Sequence, residues 1–184
     1  MKHWSTHARG VVLLLAVACK APPPHRAPPP DSAAAVSGDD SSAASAARFA
    51  QAFYDWYRRH DDRLEAAVSQ RPEVFSAELL AALRRDIGAQ AKSPDDVVGL
   101  DWDPFTGSQD PCDPYRVDRV TRRGDTVLVA MRGTCKDAAP RQTPDAIAAL
   151  RQAPAGWQFV DVLHGDGSGT LLRDLAELRA ERDR

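Results

Sequence analysis

The chain has 184 residues, of which 43% are hydrophobic and 27% charged, and a formal net charge of -2. This length suits one modest domain. Nucleic-acid binding needs a concentrated basic surface, whereas here 26 acidic side chains outnumber 24 basic ones, so we expect no nucleic-acid partner. No segment approaches the roughly 20 consecutive apolar residues of a transmembrane helix.

Residues 1–18 have the layout of a secretory signal peptide. Lys2 and Arg9 give a positive start, an apolar run follows, and small residues lead to Cys19. A cysteine at the cleavage position resembles the lipobox of bacterial lipoproteins, in which the thiol is acylated. The alternative is an ordinary signal peptide with a cysteine there by chance. We predict lipidation at Cys19 and a position in the bacterial cell envelope, anchored by lipid and facing the periplasm. The outer membrane is favoured, because Lys20 is not an aspartate that would retain the protein at the inner membrane.

Residues 19–43 are too poor in large apolar side chains to bury a core. They hold two triple-proline blocks followed by Ser, Ala, Gly and Asp, a composition typical of extended, unstructured segments. We predict a tether that lifts the domain off the membrane. The single ordered domain would then span residues 44–178, with a frayed charged tail over 179–184.

Helical patterns come first in the predicted domain. Aromatic and small residues at helical spacing over 46–57 predict a first helix, and residues 62–69 a short second one. Ser76 would cap a third helix that ends near Gly88. Leucines at 171, 172, 175 and 178 predict a final amphipathic helix.

Strand patterns occupy the second half. Residues 115–121 and 126–131 are β-prone runs around a Gly-Asp turn, which indicates a hairpin. Residues 157–163 alternate apolar and polar side chains and predict another strand. Residues 146–152 fit either helix or strand. Helices followed by antiparallel strands indicate an α+β fold, with N-terminal helices packed on a curved antiparallel sheet and a C-terminal helix.

Two cysteines remain after Cys19 is assigned to lipid. Exported compartments favour disulfides, so we predict a bond between Cys112 and Cys135. Closing that loop should stabilise the fold by roughly 3 kcal/mol in the chain-entropy model. The alternatives are two free thiols or half of a metal site.

Two aromatic motifs carry a family resemblance. Residues 53–57 read FYDWY, and residues 100–105 read LDWDPF and are followed by Gln109 and Asp110. The chain resembles the bacterial family called domain of unknown function 3828, whose members are typically exported or lipid-anchored, although Trp102 stands where phenylalanine is usual. The resemblance covers residues 45–165. It implies an NTF2-like, cystatin-like cone, a sheet wrapped on helices, in which 146–152 is a strand. It implies no functional residues, because the family has no assigned chemistry.

Asp101 and Asp103 are the leading candidates for chemistry. In an extended segment, side chains two apart face the same side, and two close carboxylates push their pKa values apart, as an acid–base pair requires. Trp102 and Phe105 would keep that site dry. The alternative, which we favour, is structural, because an aspartate before a proline also begins a turn.

His164 is a third, weaker candidate for catalysis, because it could pair with Asp161 or Asp101 as a base. The glycine-rich stretch after it could hold an anion at the start of the last helix, but a connection capped by Ser168 or Thr170 is favoured. The acidic stretch over 101–113 does not fit a calcium-binding EF-hand loop. We expect no metal and no cofactor.

These patterns favour a binding protein over an enzyme. Its partner would be another envelope protein or a small apolar ligand, and its membrane contact would be the N-terminal lipid. The predicted binding residues at the mouth of the cone are Tyr54, Trp56, Tyr57, Trp102 and Phe105. The alternative function is a small periplasmic hydrolase that uses Asp101 and Asp103.

Overall fold

The computed structural model describes residues 37–136 and 142–184, which belong to one compact unit. The proposed signal peptide, Cys19 and the proline-rich part of the tether lie outside the described residues. The elements confirm the α+β prediction. Helices precede a curved, four-stranded antiparallel sheet, and a last helix follows it.

Helix α1 spans Ser37–Tyr57 and so begins well before residue 44, where order was predicted to start. Its first half is fastened to the sheet: Trp157 Nε1 donates to Ser45 Oγ at 3.1 Å, and Arg122 Nη2 donates to Ser42 Oγ at 3.5 Å. Composition alone predicted a tether here, because the contacts that hold these small polar residues come from strands more than 75 residues away.

The next helices follow the sequence prediction closely. Helix α2 is Arg63–Gln70, a 3-10 turn covers Pro72–Val74, and α3 is Ala77–Gln90. Ser76 caps α3 as predicted, because its Oγ accepts a hydrogen bond from Leu79 N at 3.3 Å. Ser76 N also donates to Phe159 O at 2.8 Å, which joins the start of α3 to the sheet.

The sheet is a simple meander in the order β1-β2-β3-β4. Its strands are β1 Tyr115–Arg123, β2 Thr126–Gly133, β3 Ala146–Ala153 and β4 Gly156–His164. The segment 146–152, ambiguous by composition, is thus a strand, because it pairs on one side with β2 and on the other with β4. Two-residue connections join both outer hairpins, and Gly124 in the first has a φ of 62° that glycine adopts without strain.

The core lies between α1 and the sheet. Alternate side chains of β2 and β3 face it, as the two-residue period of a strand requires, and α1 contributes the aromatic residues Phe53, Tyr54 and Tyr57. Helix α1 contacts β1 and β2, while α3 contacts β4. The core-facing strand residues include Val127, Val129, Met131, Ala146, Ala148, Leu150, Phe159 and Val162.

Helix α4, Leu171–Arg182, closes the fold against α3 and β4. Its last turn was predicted to be a frayed tail, but Arg182 Nη1 donates to the buried Asp86 carboxylate and to Val98 O, both at 2.7 Å. Leu100 N also donates to Asp86, at 3.0 Å. The tail is ordered because it supplies the counter-charge of a buried aspartate on α3.

Candidate functional site

The segment between α3 and β1 folds around the carboxylate of Asp103. Asp103 Oδ1 accepts hydrogen bonds from Phe105 N at 3.0 Å, Thr106 N at 3.2 Å and the Tyr57 hydroxyl at 3.1 Å. Its backbone carbonyl accepts from Gly107 N at 2.9 Å. A side chain that binds the N–H groups that follow it stabilises a turn. This turn directs Phe105 into the core, where it is completely buried.

The surroundings of Asp103 suit a structural role. Burial raises the pKa of its carboxyl, while the bonds from Phe105 and Tyr57 and the guanidinium of Arg63 oppose that rise. The Arg63 Nη1 atom lies 3.7 Å from Asp103 Oδ2, and that oxygen has no solvent contact. With one oxygen engaged by the turn and the other enclosed, Asp103 presents no free acceptor to a substrate.

Asp101 lies in a different environment from Asp103. It is exposed, and its Oδ2 accepts a long hydrogen bond of 3.4 Å from Gln109 Nε2. A solvated carboxylate beside one held inside its own turn is a poor acid–base pair, since only the first can reach a substrate. The geometry therefore favours the structural alternative for this motif.

Most of the aromatic residues predicted to line an open mouth are core residues instead. Tyr54, Tyr57 and Phe105 are at most 1% exposed, and the Tyr54 hydroxyl donates to the Phe105 carbonyl. Tyr54 and Tyr57 are buried because the aromatic stripe of α1 faces the sheet, and Phe105 is buried because the Asp103 turn directs it into the core. Trp56 is half-buried on α1, and its ring is tilted by 41° against that of His60, with ring centroids 4.2 Å apart.

Trp102 forms a surface ridge that borders several depressions, two of which are candidate binding surfaces. We call the first the His164 cleft. It has a volume of about 320 Å³, and its walls include Trp102, Pro104, Thr143, Pro144, Leu163 and His164. The second, the Asp101 groove, has a larger volume of about 600 Å³. Its lining includes Trp102, Pro104, Tyr57, Arg63, Leu100 and Asp101.

The Trp102 ridge is held by a ring contact with His164. Its indole packs edge-on against the His164 imidazole, with ring centroids 5.3 Å apart and an interplanar angle of 86°, a favourable aromatic geometry. On the floor of the cleft, Gly107 has a φ of 64° and approaches the Asp145 carbonyl so closely that a side chain would collide with it. The cleft therefore depends on the turn built by Asp103.

His164 does not pair with Asp161 or Asp101, contrary to the sequence expectation. Its Nδ1 lies 3.0 Å from Ser168 Oγ and its Nε2 lies 2.7 Å from Asp174 Oδ2. Asp161 Oδ1 instead accepts from Leu172 N at 3.0 Å. Sequence reasoning missed Asp174 because it stands on α4, and only the tight connection after β4 brings that helix back to the strand end.

The start of α4 is already satisfied by side chains. Thr170 caps the helix and accepts from Arg173 N at 3.4 Å, while Asp161 takes the N–H of Leu172. Of the two predicted caps, Thr170 is the residue used and Ser168 bonds His164. With these donors engaged and Asp161 close by, an anion would find little free hydrogen-bonding capacity here.

The predicted cysteine pair is brought together. Cys112 and Cys135 are at disulfide-bonding distance, with Cα atoms 4.7 Å apart. The link joins the stretch before β1 to the end of β2. It therefore fastens the end of the segment that carries Trp102 to the sheet.

Two kinds of feature are absent from the described ranges, 37–136 and 142–184. Neither range contains a helix long and apolar enough to cross a membrane. No group of three or more His, Cys, Asp or Glu side chains within them is placed to hold a metal ion. Cys19, the predicted lipid attachment site, lies outside these ranges.

Comparisons with known proteins add no relatives. The chain matches no protein-family model, and no curated protein or solved structure is significantly similar to it.

Proposed function

We propose that this protein is a lipid-anchored binding protein of the bacterial cell envelope whose ligand contacts Trp102. The observation that carries the proposal is the position of that side chain. Trp102 is a half-buried tryptophan that borders both the His164 cleft and the Asp101 groove, while Phe105, the other aromatic residue of its motif, is buried. Pockets for small ligands combine apolar walls with a few polar groups, and the His164 cleft has that composition.

A small, largely apolar ligand is the better match for the His164 cleft. Its volume of about 320 Å³ lies at the lower end of the range for ligand sites. Trp102, Pro104 and Leu163 offer apolar contact, and His164 and Asp166 offer polar contact at the rim. Burying one such aromatic side chain against a ligand contributes about 2 kcal/mol.

A protein partner is the second candidate, favoured by the Asp101 groove. This groove is wide, and its rim carries charges of both signs on Asp61, Arg63 and Glu65. Mixed charges around an aromatic centre resemble the polar rim and apolar core of protein interfaces. Trp102 would then be the central anchor, a role for which tryptophan is enriched.

The envelope setting of the proposal rests on the amino-terminal sequence. The lipobox-like approach to Cys19, the proline-rich tether and the resemblance to domain of unknown function 3828 support it together. The NTF2-like cone belongs to the same proposal. Growth with a labelled fatty acid should label the wild type and not Cys19→Ser, and that variant should leave the membrane fraction. A labelled Cys19→Ser protein would contradict the anchor.

Native mass spectrometry of the full chain, purified from bacterial membranes in mild detergent, tests the binding site. We expect an added mass in the wild type that Trp102→Ala loses. Trp56→Ala is the matched control, because it removes a half-buried tryptophan that borders neither depression and should keep the ligand. A photo-crosslinker at position 102 tests for a protein partner in intact membranes. Ligand retained in Trp102→Ala, or neither ligand nor crosslink, would refute the proposal.

A further inference from the structure

Three side chains joined by hydrogen bonds lie next to the His164 cleft. Ser168 Oγ lies 3.0 Å from His164 Nδ1, and His164 Nε2 lies 2.7 Å from Asp174 Oδ2. A hydroxyl bonded to an imidazole that is oriented by a carboxylate is the arrangement that activates serine nucleophiles. We propose that Ser168 is the nucleophile of an acyl-transfer site, with His164 as its general base and Asp174 as the positioning residue.

The hydrogen bonds select the required tautomer. An ionised carboxylate only accepts hydrogen bonds, so Asp174 keeps the proton of a neutral imidazole on His164 Nε2. The lone pair of Nδ1 then faces the Ser168 hydroxyl. That hydroxyl also lies within hydrogen-bonding reach of the Asp166 carboxylate, so its single proton has two acceptors, and transfer to Nδ1 is the step that the proposal requires. In the commonest triads Nε2 faces the serine and Nδ1 faces the carboxylate. Here the two nitrogens have exchanged these roles, but either imidazole nitrogen can accept a proton. The base is therefore oriented toward the nucleophile before a substrate arrives.

The surroundings combine a fixed base with an accessible nucleophile. The side chains of His164 and Asp174 are 26% and 22% exposed, and the Trp102 indole packs edge-on against the imidazole. Ser168 is exposed on a turn in which its N–H donates to Asp166 Oδ1 at 2.9 Å. A substrate can thus reach the hydroxyl, while the imidazole ring is held by packing.

The acyl group would enter the His164 cleft, since His164 and Gly165 form one wall and Trp102 another. In this respect the inference rests on the proposed function, which places the ligand against Trp102. A cleft of about 320 Å³ with Pro104 and Leu163 in its walls suits a short apolar acyl chain. The substrate class is therefore a small carboxylic ester.

The reaction balances with water as the second reactant. Ser168 Oγ attacks the ester carbonyl carbon, and its proton passes to His164 Nδ1. The bond from carbon to the leaving alkoxide breaks, and the proton moves from Nδ1 to that oxygen, leaving an acyl group on Ser168. Water then attacks the acyl carbon and gives a proton to Nδ1. The bond from that carbon to Ser168 Oγ breaks, the proton passes from Nδ1 to Oγ, and the carboxylic acid leaves with Ser168 and His164 restored.

A purely structural interpretation is that His164 and Asp174 join β4 to α4. That role requires the imidazole–carboxylate bond but makes no use of the serine hydroxyl. It predicts that Ser168 reacts no faster than any other exposed serine. Reactivity at Ser168 therefore separates the two interpretations.

The test is labelling of the folded full chain, in mild detergent, with a short alkyl fluorophosphonate. A nucleophilic serine displaces fluoride and gains the phosphonyl group, which intact-mass measurement and peptide mapping locate. We expect one adduct, on Ser168. Ser168→Ala should remain unlabelled, whereas Ser69→Ala, a control on α2 away from both depressions, should label at the wild-type rate.

Substitutions of His164 and Asp174 should slow the labelling of Ser168 to different extents. His164→Gln should slow labelling at least ~100-fold, because general base catalysis contributes at least that factor. Asp174→Asn should also slow labelling. An amide that donates to Nε2 forces the imidazole proton onto Nδ1, which then cannot accept the proton of Ser168. Asp174→Glu should restore part of the rate. Melting temperatures identify any variant that has unfolded, and in that case adduct mapping on the wild type decides.

Several results would overturn the inference: a folded wild type that stays unlabelled, an adduct on another residue, or a wild-type rate in folded His164→Gln. If a ligand depends on Trp102 while Ser168 stays inert, the site binds without acyl transfer. If Ser168 is labelled but no ligand or partner depends on Trp102, the binding proposal fails and the acyl-transfer site stands. Hydrolysis of p-nitrophenyl acetate that is lost in Ser168→Ala would give independent support.

Discussion

The aromatic core under α1 and the Trp102 ridge use the same type of side chain in opposite surroundings. Phe53 packs against Tyr57, Phe105 and Phe159, with ring centroids 4.6 to 5.4 Å apart. Within the described part of the chain, Trp102 packs against one ring, that of His164, and it borders open depressions. One turn at Asp103 separates the two. It sends Phe105 inward and leaves Trp102 outside, so one motif supplies both a core anchor and a surface ring.

The largest expected effect comes from truncating a buried ring of the aromatic core. Phe53→Ala should lower the free energy of unfolding by about 4 kcal/mol, as large-to-small changes of buried aromatic residues do. Trp102→Ala should lower it by less than about 1 kcal/mol, because its ring is only half-buried. Urea unfolding of both variants measures the difference. Equal losses would mean that Trp102 is also a core residue.

A smaller loss is expected from the buried charge pair on α3 and α4. Arg182→Ala leaves the Asp86 carboxylate, whose side chain is 5% exposed, without its counter-charge. Removing one partner of a buried pair costs about 3 kcal/mol, so thermal unfolding should shift clearly downward. Arg173→Ala, which breaks an exposed pair with Glu177, serves as the control and should unfold like the wild type. If both variants unfold alike, the C-terminal turn contributes nothing to the fold.

The next prediction concerns the disulfide between Cys112 and Cys135, which supports the segment that carries Trp102. Replacing Cys112 and Cys135 together by serine should lower the free energy of unfolding by about 3 kcal/mol, because the unfolded chain gains loop entropy. Denaturant unfolding without reductant measures this loss. The Trp102 ridge should also become more mobile, since the link holds its segment to β2, and the indole emission should shift to the red. An unchanged midpoint would show that the two thiols are not joined in the folded protein.

The smallest expected effect concerns the turn itself. Burial raises the pKa of Asp103 above its usual 3.8, so the folded chain holds this proton more tightly than the unfolded chain. The contribution of Asp103 to stability is therefore greatest below pH 3.8 and falls as the pH rises through the raised value. Asp103→Asn should lack this dependence while keeping an oxygen for the turn.

Urea unfolding across a pH series, wild type against Asp103→Asn, gives the difference directly. The advantage of the wild type should shrink as the pH rises. Parallel curves for the two proteins would mean that Asp103 titrates as it does in the unfolded chain.

Local patterns predicted the elements well. The Ser76 cap, the Gly124 hairpin and the strand at Trp157 depend on neighbours in the chain and were placed correctly. The candidate site was predicted less well. Burial of Tyr54 depends on which side of α1 meets the sheet, and the partner of His164 depends on where α4 packs.

The amino-acid sequence by itself determined the α+β order of elements, the helix caps, the hairpins and the cysteine pairing, because spacing and turn chemistry act over a few residues or through a small choice of partners. Tertiary structure decided the rest. Packing of α1 on the sheet made Tyr57 a core residue, and the return of α4 to the end of β4 joined Asp174 to His164 and Ser168. Contacts between residues far apart in the chain depend on how whole surfaces fit, which no local pattern encodes.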